Sequence, residues 1–193
     1  MKKSRQSNLI EKVSMPPESQ LPTANRPPPA TRFLTVDELI YINEQFPNSD
    51  RIHKILKGKQ RVRDMALLEA AWGRPMQTVF GADAYPTLQE KAAALLHSVA
   101  RNHPFADGNK RTAAIAALFM LQVNGLCVTW DAAEALDRIS AMAEGRFSAE
   151  AFAAWLPVEP CPPSLEPDAD SDMQAIAAIQ RDHQWLLDEL AKR

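Results

Sequence analysis

The stretch NHPFADGNKRT occupies residues 102–112 and lies between the two segments of the chain with the strongest helical patterns. Before it, residues 88–99 carry apolar side chains at spacings of three and four, which is typical of an amphipathic helix. After it, residues 112–124 are apolar on nearly every side and end at Asn124 and Gly125, which predicts a buried, central helix. We therefore expect a helical domain built around this connection.

The first half of the connection offers a candidate catalytic base. Pro104 disfavours helical geometry at the residue before it, so the incoming helix should end with the His103 imidazole on a loop. With an ordinary pKa of about 6.5, this imidazole can accept a proton from a hydroxyl near neutral pH. Phe105 gives the loop a hydrophobic anchor.

The second half of the connection predicts a phosphate-binding site. Gly108 and Asn109 tolerate positive φ and can direct successive amide hydrogens at one point, where the next helix begins with the positive end of its dipole. Lys110 and Arg111 add two cations in that first turn. Asp107 can hold Mg²⁺ against the phosphates or cap the helix. A base, a metal ligand and a phosphate cradle together imply transfer of part of a nucleotide to a hydroxyl.

Residues 103–113 resemble the signature of the Fic/Doc superfamily, and of its death-on-curing branch in particular. Parts of residues 62–75 and 85–93 are also similar to that branch. In the adenylyltransferases of the superfamily, the signature runs His-x-Phe-x-(Asp/Glu)-Gly-Asn-Gly-Arg-x-x-Arg. This chain has Lys110 where the second glycine stands and Ala114 where the last arginine stands, and both departures are those of the death-on-curing branch.

The resemblance implies a toxin of a toxin-antitoxin system that uses ATP and Mg²⁺ to phosphorylate a threonine or serine hydroxyl on a translation factor. The expected target is elongation factor Tu, and the expected neutralising partner is a Phd-like antitoxin. In that branch, replacement of the second glycine presents the γ-phosphate of ATP to the hydroxyl instead of the α-phosphate. The implied roles are general base for His103, Mg²⁺ ligand for Asp107, phosphate cradle for Gly108, Asn109 and Lys110, and phosphate clamp for Arg111.

Two other functions stay open at this stage. The same fold can transfer AMP, as a protein adenylyltransferase. The chain can also be a catalytically silent interaction module that acts through its last helix or through a basic stretch. The basic stretch holds six positive charges, which belong to Arg51, Lys54, Lys57, Lys59, Arg61 and Arg63. We expect these side chains to form a solvated face.

A second pattern resembles a self-inhibition motif of some Fic enzymes. Residues 140–145 fit Ser/Thr-x-x-x-Glu-(Gly/Asn), in which the glutamate pairs with the final arginine of the signature. That arginine is replaced by Ala114 here. We therefore interpret Glu144 and Gly145 as the end of a helix.

Proline content marks the limits of the domain. Six of the 15 prolines lie in residues 1–30 and five in residues 157–167. We expect a disordered, Pro-rich arm over residues 1–32 and a catalytic domain over 33–156. A Pro-rich linker over 157–170 and one C-terminal helix over 171–193 should follow.

The predicted fold class is all-α, a Fic/Doc-type helical bundle. Capping boxes at Thr35 with Glu38 and at Thr87 with Glu90 mark two helix starts. Shorter helices are expected over residues 64–72, 132–143 and 148–156. Residues 73–86 suit a loop or a short β-hairpin, and the resemblance assigns this region to a flap that docks the target.

Composition and charge exclude several other classes. The content of 46% hydrophobic residues is that of a globular protein, and the net charge of −2 argues against direct nucleic-acid binding. No apolar run suits a membrane span or a signal-peptide core, so a cytoplasmic location and no membrane partner are expected. Cys127 and Cys161 lie in segments of different character, and both are expected to be free thiols. The oligomeric state stays open.

Overall fold

The computed structural model describes residues 30–47, 57 and 61–193, and this part of the chain is mainly helical. The predicted all-α class is confirmed. The α-helices are α1 Val36–Glu44, α2 Met65–Gly73, α3 Leu88–Asn102, α4 Asn109–Val123, α5 Ala132–Ala143, α6 Ala149–Trp155, α7 Ala169–Asp182 and α8 Gln184–Leu190. The strands are β1 Thr78–Val79, β2 Ala82–Asp83, β3 Leu126–Val128 and β4 Val158–Pro160, paired antiparallel as β1 with β2 and β3 with β4.

Helix α4 forms the centre of the core, as its apolar sequence predicts. Every side chain from Ala113 to Phe119 is at most 5% exposed. Helices α3, α1, α5, α7 and α8 all pack against α4. The start of α4 is therefore held by the whole bundle, and so is the connection from α3.

Both predicted capping boxes are present. The Thr35 hydroxyl accepts a hydrogen bond from the Glu38 amide, and Glu38 bonds back to the Thr35 amide at the start of α1. Thr87 and Glu90 do the same for α3. Each box satisfies amides that have no partner within the first turn of a helix.

The predicted flap region contains a two-stranded hairpin. After one turn of 3₁₀ helix at Arg74–Met76, strands β1 and β2 pair across a tight turn. Phe80 lies at the tip with a φ of 51° and a fully exposed side chain. An aromatic side chain is thus presented to solvent at the end of the hairpin.

The cysteine prediction is wrong, because Cys127 and Cys161 form a disulfide with a Cα–Cα distance of 5.8 Å. Strands β3 and β4 pair with Cys127 opposite Glu159 and Leu126 opposite Pro160. Cys161 follows Pro160 directly, so it lies beside the start of β3. The Cys161 amide also donates to the Gly125 carbonyl at 2.9 Å. The sequence pattern did not predict β4, because this strand lies in a proline-rich region and itself contains Pro160.

The proline-rich region 157–170 packs on the domain as a result. Besides β4 and the disulfide, it contributes the Ser164 amide, which donates to the Val123 carbonyl at the end of α4 at 2.9 Å.

The chain end contains two helices where the sequence pattern predicts one. The break lies at His183, whose ring packs edge-on against Trp130 at a centroid distance of 5.8 Å. The bend lets both halves reach the core, since Ile176 and Ile179 of α7 and Leu186 of α8 are at most 5% exposed.

Arg32, the last residue of the predicted arm, is buried. Its guanidinium pairs with Asp172 of α7 at 2.5 Å and with Glu38 of α1 at 3.2 Å. It also lies over the Phe119 ring at 5.6 Å. Residues 1–29, which form most of that arm, lie outside the described residues.

Among the helices of residues 30–47 and 61–193, none combines the length and the apolar character that a bilayer crossing requires.

Candidate active site

His103 ends α3 in a left-handed backbone conformation, with φ 49° and ψ 57°. Pro104 explains the exit from the helix, because its ring disfavours helical geometry at the preceding residue. A non-glycine residue at positive φ is strained, and such strain often lies at functional sites. The His103 side chain is exposed at the end of the helix.

Residues 104–106 are held by main-chain hydrogen bonds to residues 61–64. The Pro104 carbonyl accepts from the Arg63 and Asp64 amides at 2.8 and 3.1 Å, and the Ala106 amide donates to the Arg61 carbonyl at 2.9 Å. The Phe105 side chain is 1% exposed, as its predicted anchoring role requires. This pairing fixes the loop that follows His103.

The Asn109 side chain holds the same loop from the other side. Its Oδ1 accepts from the Phe105 amide and its Nδ2 donates to the Phe105 carbonyl, both at 2.9 Å. The side chain is thus committed to the main chain of Phe105. The cradle role predicted for Asn109 would fall to its main-chain N–H in the first turn of α4.

Gly108 begins α4 without a side-chain cap. Its φ is +76°, and a Cβ placed there would lie 3.2 Å from Asn43 Nδ2. Glycine is favoured because the backbone is left-handed and because Asn43 approaches so closely. Gly108 has no side chain that could cap the first amides of α4, which lie at the positive end of the helix dipole.

Asn43 of α1 is a positioning residue that sequence analysis missed. It is fully buried, its Nδ2 donates to the Asp107 carbonyl at 2.9 Å and to Thr112 Oγ1 at 2.8 Å, and its Oδ1 accepts from Arg61 Nε at 2.7 Å. These bonds tie both sides of Gly108 to α1. The available signal was a polar residue on the apolar face of α1, one position after Ile42 and three before Phe46.

The prediction that the basic stretch forms a solvated face is wrong for Arg61. Its side chain is buried, and besides Asn43 it binds the Phe46 carbonyl at 2.8 Å. A guanidinium with this partner set supports the loop and is not available to an outside partner. Arg51, Lys54 and Lys59 of the stretch lie outside the described residues.

Arg111 lies in the first turn of α4, and its side chain is 10% exposed. Its guanidinium packs over the Phe46 ring at 4.9 Å and lies 3.7 Å from Asp107 Oδ1. Burial lowers the pKa of Arg111, while the negative charges of Asp107 and Asp188 oppose that change. Arginine stays protonated in proteins, so this is a fixed positive charge.

All six predicted site residues line one cavity of about 210 Å³. They are His103, Asp107, Gly108, Asn109, Lys110 and Arg111. The opposite wall comes from the end of the chain, through Leu190, Ala191 and Arg193. The structure thus brings the predicted residues together, and their individual roles stay predictions.

The pKa of His103 is lowered, first by local desolvation and then by the positive charges of Arg63, Lys110 and Arg101. The lowered pKa favours the neutral form of the imidazole. In that state it can accept a proton, which is what a general base requires.

Asp107 is the one carboxylate side chain among the residues that line this cavity. Its Oδ1 accepts from the Gly108 amide at 2.6 Å. Among the described residues, no group of three or more metal-ligating side chains is found. The donor set nevertheless suits Mg²⁺, which is commonly bound by one or two carboxylates together with substrate phosphates and water.

Comparisons with known proteins agree with the motif. The family model described as Fic/DOC family matches residues 33–121. Toxin Doc of Mycolicibacterium smegmatis is 48% identical to this chain over 101 residues, which are 51% of this chain and 78% of that relative. About half of this chain therefore lies outside the aligned stretch, and α7 and α8 follow the region that the family model matches.

Proposed function

The chain belongs to the Fic/DOC family, and from this membership and the loop geometry we propose that it transfers the γ-phosphate of ATP to a hydroxyl of a protein. Members of the family use ATP and transfer nucleotide or phosphate groups. The observation that carries the proposal is the start of α4. It has no side-chain cap, it has Lys110 and Arg111 in its first turn, and it shares one cavity with His103.

In the proposed reaction the phosphates of ATP bind the first amides of α4, Lys110 and Arg111. Phe46 and Asp107 hold the Arg111 guanidinium in place for this contact. Asp107 would also hold Mg²⁺, which supplies charge neutralisation at the phosphates when bound.

His103 would act as general base on the incoming hydroxyl. The hydroxyl oxygen forms a bond to the γ-phosphorus, the bond from that phosphorus to the oxygen it shares with the β-phosphate breaks, and ADP leaves. The proton of the hydroxyl passes to the neutral imidazole. Asn43 and Asn109 contribute indirectly, because they fix the loop on both sides of Gly108.

Lys110 supports phosphate transfer over AMP transfer. It stands where the adenylyltransferase signature has glycine, and this substitution is that of the death-on-curing branch. On the same ground, and because a protein called Toxin Doc is 48% identical over the aligned region, we propose that the chain is the toxin of a toxin-antitoxin pair. Elongation factor Tu is the proposed target and a Phd-like antitoxin the proposed partner.

The test uses ATP labelled on either the α- or the γ-phosphate, incubated with the full chain, Mg²⁺ and purified elongation factor Tu. Label from the γ-position on the factor, absent with His103→Ala, is the expected result. Retention of the α-label instead would establish AMP transfer.

A cell lysate extends the test to other targets, since any labelled protein can be identified by mass spectrometry. If neither label is transferred in a lysate, while His103→Ala still inhibits growth as the wild type does, the chain acts as an interaction module and the proposal is wrong.

A further inference from the structure

The last residues of the chain lie over the candidate active site. Leu190, Ala191 and Arg193 line the same cavity as His103 and the loop that begins α4. At about 210 Å³ this cavity is smaller than the roughly 300 Å³ at which typical sites for drug-sized ligands begin. The chain end thus takes up room beside the groups that are proposed to bind ATP.

Both cations of the proposed phosphate site face groups from this chain end. Lys110 Nζ donates a hydrogen bond to the main-chain oxygen of Arg193. Asp188 of α8 lines a second cavity together with Arg111 and Phe46. We call residues 188–193 the covering segment, because Arg193 at one end bonds to Lys110 and Asp188 at the other end shares a cavity with Arg111.

The covering segment is held in this place by the rest of the fold. Leu186, Leu187 and Leu190 of α8 are at most 3% exposed, and α8 packs on α5 and α4. The Arg193 guanidinium also pairs with Asp137 of α5 at 2.9 Å. Arg193, which contacts Lys110, is an exposed residue three positions after the end of α8, and the packing of α8 and the pair with Asp137 keep it beside the site.

The covering segment is not the self-inhibition motif that residues 140–145 resemble. Glu144 of that pattern pairs with Arg146, and it is absent from the lining of the cavity that holds His103. The groups that could compete with a ligand here are Asp188 and the Arg193 main-chain oxygen, which belong to α8 and the residues after it.

We propose that the covering segment competes with the phosphates of ATP for Lys110 and Arg111, so that ATP binding requires the segment to move aside. The proposal rests on the proposed function, because it needs a phosphate site to be covered. When ATP binds, its phosphate oxygens replace the Arg193 main-chain oxygen at Lys110 and the Asp188 carboxylate near Arg111. The chain is therefore partly self-inhibited.

One substitution and one truncation test the competition by titration calorimetry with Mg-ATP. Asp188→Asn removes one negative charge from the surface near Arg111 and should tighten binding about threefold. A chain that ends at Leu190 removes the oxygen that binds Lys110 and should tighten binding about tenfold, since a hydrogen bond to a charged group is lost from the competing state. Both variants leave the buried leucines of α8 unchanged.

Glu134→Gln on α5 is the control for Asp188→Asn. It removes the same charge, but Glu134 pairs with Arg138 and does not line the cavity that holds His103. Its affinity for Mg-ATP should equal that of the unaltered chain. Tighter binding by the two test variants, with no change in this control, is the result that supports the proposal.

Equal affinity of all four proteins would overturn the inference and leave the proposed function standing. Failure of all four to bind Mg-ATP would overturn both. Hydrogen exchange gives a second readout: Mg-ATP at saturation should raise the exchange of the α8 amides in the unaltered chain. Unchanged exchange with ATP bound would show that the segment does not move and would also overturn the inference.

Discussion

The N-terminal ends of helices α3 and α4 are built in opposite ways. Helix α3 starts with a capping box, in which Thr87 and Glu90 satisfy the free amides. Helix α4 starts at Gly108, with a left-handed backbone and no side-chain cap. Side-chain caps are also present on α1, α2, α5, α6 and α7.

The open start belongs to the most deeply buried helix of the described chain. Burial of α4 from Ala113 to Phe119 stabilises it without help from a cap. Its first amides can therefore be left for a ligand at little cost to the fold. Among the other described α-helices, α8 is the one without a side-chain cap, and it begins directly after α7 at His183. The difference between α3 and α4 separates groups that serve stability from groups that are proposed to serve binding.

The largest expected effect concerns the other end of α3, where His103 is the C-terminal cap residue and has a left-handed backbone. His103→Ala should reduce transfer of phosphate by about 10² to 10⁴-fold, because the general base is lost. The affinity for ATP should stay the same. Rates from labelled ATP and affinities from calorimetry measure the two effects, and a variant with full activity would remove His103 from the mechanism.

Gly108→Ala is the direct way to damage the open start. The new Cβ would meet Asn43 at 3.2 Å and would be held at a φ of +76°. We expect the affinity for ATP to fall about tenfold, through displaced amides, and the free energy of unfolding to fall by about 1 to 3 kcal/mol. Gly73→Ala is the control, since nothing lies within 4 Å of a Cβ there. Unchanged ATP affinity of the Gly108 variant would contradict the predicted cradle.

The charge around the open start can be tested by pH. Desolvation and then Arg63, Lys110 and Arg101 lower the pKa of His103, so its base form persists below the ordinary value of about 6.5. Activity should therefore fall only as the pH drops below that value.

Arg63→Gln removes the foremost of these charges. The pKa of His103 should rise, and the acid limb of kcat/KM against pH should move to higher pH. Arg138→Gln, a change on α5 where Arg138 pairs with Glu134, should leave the limb in place. A shift of the limb to lower pH in the Arg63 variant would refute this account of the charge.

The smallest effect on function is expected at the capped end. Thr87→Ala should lower the free energy of unfolding by about 1 kcal/mol, because the Glu90 amide loses its acceptor. The affinity for ATP and the transfer rate should not change. Denaturant unfolding measures the first, with Thr129→Ala as an exposed control, and a large loss of activity would mean that the two helix starts are not independent.

Features that depend on neighbouring residues could be predicted from the sequence. Capping boxes, the proline after His103 and the apolar run of α4 act over a few positions, and each produced the expected local structure. The residues proposed for the site lie within one short connection, so their meeting in one cavity also follows from local order.

Features that depend on residues distant in the chain could not be predicted in this way. Asn43 supports the loop from helix α1, and it lies 64 positions before Asp107 in the chain. Cys127 and Cys161 meet only because β4 forms within a proline-rich segment. The covering segment reaches Lys110 across a separation of 83 residues. Nothing local marks such contacts, because tertiary packing decides them.

The disulfide closes a covalent loop of the chain, and this loop contains α5 and α6. The backbone leaves at Cys127 and returns at Cys161, so both helices lie between two covalently joined points. A protease that cuts between α5 and α6 would leave two fragments that stay linked under oxidising conditions. The fragment with α7 and α8 would remain attached beside α4, and cleavage there would not by itself release the wall of the active site.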